Sequence, residues 1–390
     1  VSIGDEAFMN SSIKRIDIPS SVTVLNNKAF AELNNVEEII LHESLSSIGK
    51  GVFYHSSLPK SIEIPSSVKI IGDEAFLGIK NVDEVILHEG LDSIGHYAFG
   101  GASIKKIDFP STVTKLGSYI FHSSDLQEIE WPKNLHKIPH GCFTFTKLNR
   151  FDFTHIKEIG FSAFGNCELM GNVVIPSGCS IHPLAFSGCK SQNLDFEELP
   201  QEIPLSRDNQ TFLDNYSFCG SLYLKKLVLP RGLLINNNAF KSSKTVKTIE
   251  IHEGVEFYSD NVFVGDDAYD GHDNFIGYSD NWIPDSIIYL SANPEETYDI
   301  FQDVMYERST LYVKPEALEK AKNTYPWSKF RKIVALSSGI DDIPADTDDG
   351  QNGPDLFYNL EGIPCGSDRN ALAPGIYILR KNGKASKIVI

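Results

Sequence analysis

A phenylalanine recurs along this chain at an almost constant spacing. Successive members of the series lie 21 to 23 residues apart, with one gap of 32 residues. The series comprises Phe8, Phe30, Phe53, Phe76, Phe99, Phe121, Phe143, Phe164, Phe186, Phe218, Phe240 and Phe263. A fixed period of this length is typical of a solenoid, in which stacked repeats contact only their neighbours. The 390 residues therefore need no single globular core.

A second apolar series runs in phase with the phenylalanines and predicts one short strand in each repeat. In the segment Val85-Ile86-Leu87 we expect Val85 and Leu87 to point into the solenoid and Ile86 to point outward. Gly72 has counterparts at the same place in several repeats, which predicts a backbone position that a Cβ atom would obstruct. The pattern predicts about thirteen short parallel strands on one curved face.

The repeats weaken towards the C-terminus, where the sequence predicts three further segments. Residues 291–336 contain a short helix that begins at Pro315, and they are expected to cap the solenoid of residues 1–336. Residues 337–355 are rich in Asp, Gly and Pro and are expected to form a linker. Residues 356–390 contain two apolar runs joined through Asn382-Gly383, which predicts a small β module with a hairpin.

Composition and motifs exclude several classes of function. A net charge of −17 argues against binding to nucleic acid or to anionic lipid. No run of about 18 apolar residues is present, so no integral membrane segment is expected. His42-Glu43 and His88-Glu89 lack the second histidine of a zinc protease motif, and no phosphate-binding loop occurs. We therefore expect no catalytic residue, no metal, no cofactor and no enzymatic activity.

Two cysteines occupy the same place in adjacent repeats. Cys167 and Cys189 each follow their phenylalanine by three residues, and stacked strands lie about 4.8 Å apart. That separation is compatible with a disulfide, but parallel side chains make the bridge awkward. Two buried free thiols are the favoured alternative.

Two groups of residues are candidates for a binding surface. The outward strand positions carry acidic and apolar side chains, among them Ile40, Ile86, Glu63, Asp108 and Glu130. They form either a solvated sheet face or an interface, since exposed apolar side chains grouped on one surface can mark a contact site.

The second group lies in an insertion. About sixteen extra residues interrupt the repeat near Val264–Pro284, and about ten near Glu197–Thr211, and such insertions form surface loops. The longer insertion is acidic, and calcium binding is a less favoured alternative to a surface loop without metal. It contributes four aromatic residues that either contact a ligand or pack onto the repeat beneath: Tyr269, Phe275, Tyr278 and Trp282.

The repeat motif resembles a known family. Ile159-Gly160-Phe161-Ser162-Ala163-Phe164-Gly165-Asn166-Cys167 is similar to the recurring string of BspA-like leucine-rich repeats of bacterial surface proteins. The resemblance covers about residues 1–335 and implies an α/β leucine-rich repeat solenoid. Residues 358–390 resemble short C-terminal modules of secreted Bacteroidetes proteins, some of which are type IX sorting signals.

This resemblance implies a function in adhesion. We expect a secreted protein, or one displayed on the exterior of the outer membrane, that binds a protein of the host matrix or of another cell. The aromatic insertion suggests an alternative, a glycan-binding accessory protein. Binding over a broad face would indicate the adhesin, whereas a local aromatic shelf would indicate the glycan-binding protein.

Overall fold

The computed structural model describes most of the repeat region and part of the tail. The described residues are 1–336, apart from 170, 191–192, 221–224 and 270–273, together with four strands between 356 and 389. The predicted linker, residues 337–355, lies outside them.

The predicted row of parallel strands is present, and its thirteen members are here named the long-strand ladder. Neighbouring strands pair in parallel within four separate sheets of two, four, two and five strands. The strands are Arg15–Asp17, Glu38–Ile40, Ser61–Glu63, Glu84–Ile86, Lys106–Asp108, Glu128–Glu130, Asn172–Ile175, Asn193–Phe196, Lys226–Leu229, Thr248–Ile251, Ser286–Tyr289, Thr310–Val313 and Lys332–Ala335. Val85 is buried as predicted, whereas Ile86 and Leu87 are both half-buried.

A second row, here named the short-strand ladder, was not predicted because most of its strands have only two residues. It forms two six-stranded parallel sheets. The strands are Ser2–Ile3, Val24–Leu25, Ser47–Ile48, Ile70–Ile71, Ser93–Ile94, Lys115–Leu116, Lys137–Ile138, Glu158–Ile159, Ser180–Ile181, Thr211–Leu213, Leu233–Ile235 and Glu256–Phe257. Two residues are too few to show the alternation of apolar and polar side chains by which a strand is predicted.

The recurrent phenylalanines form a continuous column of stacked rings inside the solenoid. Centroids of consecutive rings lie 4.8 to 5.9 Å apart, and Phe301 extends the column beyond Phe263 at 5.0 Å. Phe76 and Phe99 are fully buried, while Phe8 is 40% exposed because it has a neighbour on one side only. The column and the inward strand residues together form one core.

The backbone around each ring adopts an unusual conformation. Glu74 and Gly78, two residues before and after Phe76, both have positive φ angles, and most repeats share this arrangement. The Glu74, Phe76 and Gly78 N–H groups then donate to carbonyls of the next repeat at 2.7 to 2.8 Å. The left-handed conformation costs a residue with a Cβ atom, such as Glu74, about 1–2 kcal/mol, and these hydrogen bonds offset that cost.

A glycine recurs at the same place in several repeats because neighbouring repeats are in close contact there. A Cβ atom on Gly95 would lie 2.4 Å from the Asp73 backbone nitrogen, whereas one on Gly4 would meet nothing within 4 Å. Gly95 has no positive φ, so the neighbouring backbone, not the local torsion, excludes a side chain. The prediction of an obstructed Cβ at this place is thus confirmed for the stacked repeats.

The cysteines in the repeats are reduced thiols that form no disulfide. Cys142, Cys167, Cys179 and Cys189 are buried, and Cys219 is half-buried. The alternative of two buried thiols at Cys167 and Cys189 is confirmed. Burial raises the pKa of Cys167 to about 11, although a contact with the Thr146 hydroxyl at 3.3 Å acts in the opposite direction.

The C-terminal elements are short. Helices cover Asp303–Arg308 and Leu318–Ala321, and 3-10 turns cover Pro315–Ala317 and Trp327–Lys329. In the tail, an antiparallel sheet contains Leu356–Tyr358, Pro364–Gly366, Ile376–Lys381 and Lys384–Val389. The last two strands pair with each other on either side of Asn382-Gly383, which confirms the predicted hairpin pairing. Asn382-Gly383 itself lies outside the described residues, and a role as a sorting signal stays a prediction.

Candidate binding surfaces

The longer insertion is a β-hairpin rather than an irregular loop. Its strands, Asp267–Tyr269 and Phe275–Tyr278, pair antiparallel with a register shift between Ala268 and Tyr269. Residues 270–273, which join the strands, lie outside the described residues. The sequence carried a signal for this element, because Asp270-Gly271 is a favoured hairpin dipeptide.

Trp282 anchors the hairpin instead of forming part of its surface. The expectation that it contacts a ligand is wrong, because the side chain is 1% exposed. Its indole N–H donates to the Val246 carbonyl at 3.0 Å, and its ring lies 6.5 Å from that of Phe263. The residue follows the hairpin directly and fills space beside the phenylalanine column, which fixes where the insertion leaves the solenoid.

Polar contacts tie the two ends of the hairpin together. Asn281 donates to the Asp266 carboxylate at 2.6 Å, and Lys244 forms an ion pair with Asp266 at 2.6 Å. The Gln302 amide receives the Gly265 N–H and donates to the Tyr278 carbonyl, both at 3.0 Å. Asp266 is therefore occupied by protein groups rather than placed in an open carboxylate cluster.

Lys241 is a site residue that sequence reasoning missed. Its ammonium lies 5.5 Å from the ring centroids of both Tyr216 and Tyr278 and 2.5 Å from the Asp267 carboxylate. Burial opposes its charge, but the hydrogen bond and ion pair with Asp267 outweigh this effect and raise its pKa. This buried cation fixes the half-buried Tyr278 in place and links the hairpin to the preceding repeat.

The remaining large apolar side chains of the hairpin face solvent. Tyr269 is 56% exposed, Phe275 54% and Ile276 66%. The Tyr269 and Phe275 rings meet edge to face at 6.1 Å, and Phe275 meets Tyr278 in the same way at 5.5 Å. A rigid base thus presents a compact apolar tip.

The predicted outward residues form a row along the long-strand ladder. Glu63 pairs in register with Ile86, and Asp108 pairs with Glu130. Ile40 lies in the same row, opposite Asp17. Both isoleucines are half-buried, and Glu63 lies between them along the row. The structure therefore brings these residues onto one face but does not group the apolar ones into a continuous patch.

The recurrent His-Glu pairs join neighbouring repeats. His42 contacts the Asp17 carboxylate at 3.3 Å, and His88 contacts that of Glu63 at 2.9 Å. Each histidine therefore reaches back to the acidic outward residue of the preceding repeat.

The glutamates of these pairs reach forward. The Glu43 carboxylate accepts the Ser66 hydroxyl at 2.8 Å and the Ser67 N–H at 3.1 Å, and Glu89 accepts from Ser111 in the same way. The hydrogen bonds from Ser66 and Ser111 lower the pKa of Glu43 and of Glu89 respectively. Each His-Glu pair thus connects three consecutive repeats.

A third histidine belongs to a more buried charged group. His252 contacts the nearly buried Glu250 carboxylate at 2.8 Å, and Lys226 reaches the same carboxylate at 2.6 Å. Burial alone would raise the pKa of Glu250, but its contacts with His252 and Lys226 lower it. The hydrogen bond to Glu250 raises the pKa of His252. These groups neutralise one another and leave no free acid or base directed at a pocket.

Two further observations concern metals and membranes. Across the described segments, no three His, Cys, Asp or Glu side chains come together as a metal site requires. The helices of the same segments are too short to cross a bilayer.

Comparison with known proteins identifies the family to which these repeats belong. A family model described as "BspA type Leucine rich repeat region (6 copies)" matches residues 1–124, 80–193 and 153–268. No curated protein sequence matches the chain.

Among solved structures, the pneumococcal vaccine antigen PcpA is 17% identical, with a TM-score of 0.50 over 86% of this chain and 85% of that one. A leucine-rich repeat protein from Bacteroides ovatus is 19% identical, with a TM-score of 0.50 over 75% of this chain and 82% of that one. At these identities the likeness shows the fold alone.

Proposed function

The chain belongs to the BspA-type leucine-rich repeat family, and from this we propose that it is a non-enzymatic binding protein, secreted or displayed at the cell surface. Its partner is a protein ligand, of the host matrix or of another cell, and its role is that of an adhesin. The contact is made by the hairpin tip, defined as Tyr269, Phe275 and Ile276.

One observation carries this proposal: the hairpin tip exposes three large apolar side chains on a base that is fixed in the core. More than half of each side chain is accessible, although apolar side chains of this size are usually buried. Trp282 and Lys241 hold the base, so little conformational entropy is lost when the tip binds. Exposed aromatic residues on rigid scaffolds commonly provide the main contacts of protein interfaces.

The absence of enzymatic activity is supported by the use of the ionisable groups. The histidines and acids with the clearest contacts pair with other side chains and stabilise the stack: His88 contacts Glu63 of the preceding repeat, and Glu250 contacts Lys226 of the preceding repeat. Catalysis requires such groups to converge on a substrate.

The test is a binding comparison across matrix proteins and a glycan array. We expect the double variant Tyr269→Ser, Phe275→Ser to lose at least about tenfold in affinity for the partner that the wild type binds, because two aromatic contacts are removed. Tyr298→Ser is the matched control, since Tyr298 is 48% exposed and lies outside the hairpin.

Three outcomes separate the alternatives. Binding to matrix proteins that depends on the tip supports the adhesin. Tip-dependent binding to saccharides alone would assign the glycan-binding function, for which the exposed Tyr269–Phe275 pair is the specific observation. Binding that is unchanged by the double variant but lost in Ile40→Asp, Ile86→Asp would move the site to the outward face of the long-strand ladder.

A further inference from the structure

The short-strand ladder is interrupted at one place in the repeats. Its two sheets end at Lys115–Leu116 and begin again at Lys137–Ile138. In neighbouring repeats a glycine makes the corresponding backbone hydrogen bond. The Gly117 N–H donates to the Ile94 carbonyl at 2.8 Å, and the Gly160 N–H donates to the Ile138 carbonyl at 2.9 Å. Among the described backbone hydrogen bonds, none joins residues 114–118 to residues 134–139.

Proline explains the interruption. The residue that would donate to Leu116 is Pro139, which has no N–H group. A side chain at this position is not the decisive obstacle, because His182 and Asp214 occupy it in later repeats and still donate to the preceding repeat at 2.9 Å. The missing donor therefore removes one of the hydrogen bonds that would join the two sheets.

Bulky core residues accompany the interruption. Phe109, Trp131, Phe151 and Phe153 stand at inward strand positions that hold Ile, Leu or Val in earlier repeats, and their rings pack on one another. The long-strand ladder also pauses after Glu128–Glu130. The phenylalanine column continues across the same repeats, so the opening is confined to the strand side of the solenoid.

The cleft at this interruption has a volume of about 650 Å³, which lies within the range of about 300–1,000 Å³ usual for ligand pockets. Its lining includes Lys115, Ser118, Asn134, His136 and His140, and no carboxylate lines it, although the chain carries a net charge of −17.

The lysines beside the cleft are already paired. Lys115 forms an ion pair with Asp92 of the preceding repeat at 2.9 Å, and Lys137 with Glu158 of the following repeat at 2.7 Å. Their charges are therefore largely compensated, and the distinctive groups of the cleft are those of the backbone. The Thr114 and Leu116 carbonyls, at strand spacing, accept none of the described hydrogen bonds.

We infer that this cleft binds an extended peptide segment of a partner protein through main-chain hydrogen bonds. A peptide backbone supplies donors at strand spacing and can pair with an interrupted ladder. The lining without carboxylates favours a segment that is neutral or acidic. The inference rests on the proposed function in requiring a protein ligand, but it uses a site separate from the hairpin tip.

The experiment selects a phage-displayed library of random linear peptides on the full chain and measures the affinity of the enriched peptides. Pro139→Gly restores an N–H group and installs the residue that Gly117 and Gly160 provide in neighbouring repeats, so it should close the cleft without harming the fold. We expect at least a tenfold loss of peptide affinity, which corresponds to the loss of one or two hydrogen bonds.

Pro183→Gly is the matched control. Pro183 lies one position later in its own repeat, where the ladder donor is His182, so this change restores no missing bond. Amide hydrogen exchange of the wild type gives an independent readout, in which the peptide should slow exchange at Leu116 and Lys137 on the two edges of the cleft.

The outcomes distinguish this site from the hairpin tip. Peptides that bind Pro139→Gly as well as the wild type, or that protect residues 267–278 instead, would overturn the inference. Failure to enrich any peptide would also overturn it. Partner binding that is lost in Tyr269→Ser, Phe275→Ser but retained in Pro139→Gly would leave the proposed function intact.

Discussion

The stacking of the phenylalanine column predicts a graded cost of ring removal. Phe99 is fully buried between Phe76 at 5.3 Å and Phe121 at 5.7 Å. Burying its side chain contributes about 1.5–3 kcal/mol, and each stacked pair adds about 0.5–1.5 kcal/mol. Phe99→Ala should therefore lower the free energy of unfolding by about 4 kcal/mol, within the usual range for such a cavity.

The first ring of the column should matter less. Phe8 is 40% exposed and stacks only on Phe30, so its removal forfeits about half of these contributions and leaves no closed cavity. We expect Phe8→Ala to cost about 2 kcal/mol or less. Phe145→Ala is a surface control, because Phe145 is more than half exposed and should change stability by about 0.5 kcal/mol.

Urea unfolding monitored by circular dichroism and by tryptophan fluorescence provides the measurement. Coincident curves from the two probes are required before a single free energy is assigned, since long repeat arrays can lose cooperativity. Equal losses in Phe8→Ala and Phe99→Ala would refute the view that each repeat is stabilised by its immediate neighbours.

Two further predictions concern close contacts and pH. Gly95→Ala should lower the free energy of unfolding by about 1–3 kcal/mol, because its Cβ would overlap the Asp73 backbone, whereas Gly4→Ala should have little effect; equal urea midpoints would contradict this. The raised pKa of His252 means that its contribution to stability is fully present below the unfolded-state pKa of about 6.5 and is lost as the pH rises through the folded-state value. Urea midpoints of the wild type should therefore fall between about pH 6 and pH 8 relative to those of His252→Gln, and parallel pH profiles would show that the contact with Glu250 contributes nothing.

Much of the fold could be predicted because the residues that form the core recur along the sequence. The phenylalanines and the apolar strand residues recur in nearly every repeat, so each repeat supports the same prediction. The short-strand ladder lacked such a signal, since a strand such as Ser93–Ile94 contributes one buried side chain and no alternation. Pro139 is visible in the sequence as a proline at a position that several repeats fill with glycine, but its meaning depends on a hydrogen bond between repeats.

The hairpin shows the limit of the same reasoning. Its aromatic residues were found from composition, but composition does not separate Tyr269, at the exposed tip, from Trp282, in the core. Which ring is buried depends on where the chain re-enters the solenoid, and only the structure provides that position. Lys241 lies in the preceding repeat and carried no sequence signal for its place between Tyr216 and Tyr278.

In the N-terminal part of the solenoid, repeats that carry a His-Glu pair alternate with repeats that do not. His42 and His88 lie 46 residues, or two repeats, apart. Each histidine contacts an acidic residue in the repeat before it, and the glutamate that follows it accepts from serine in the repeat after it. Loss of a single repeat would place two repeats of the same kind side by side and leave a histidine or a serine pair without its partner. The unit by which this region can lengthen or shorten during evolution, while keeping every such contact, is therefore a pair of repeats.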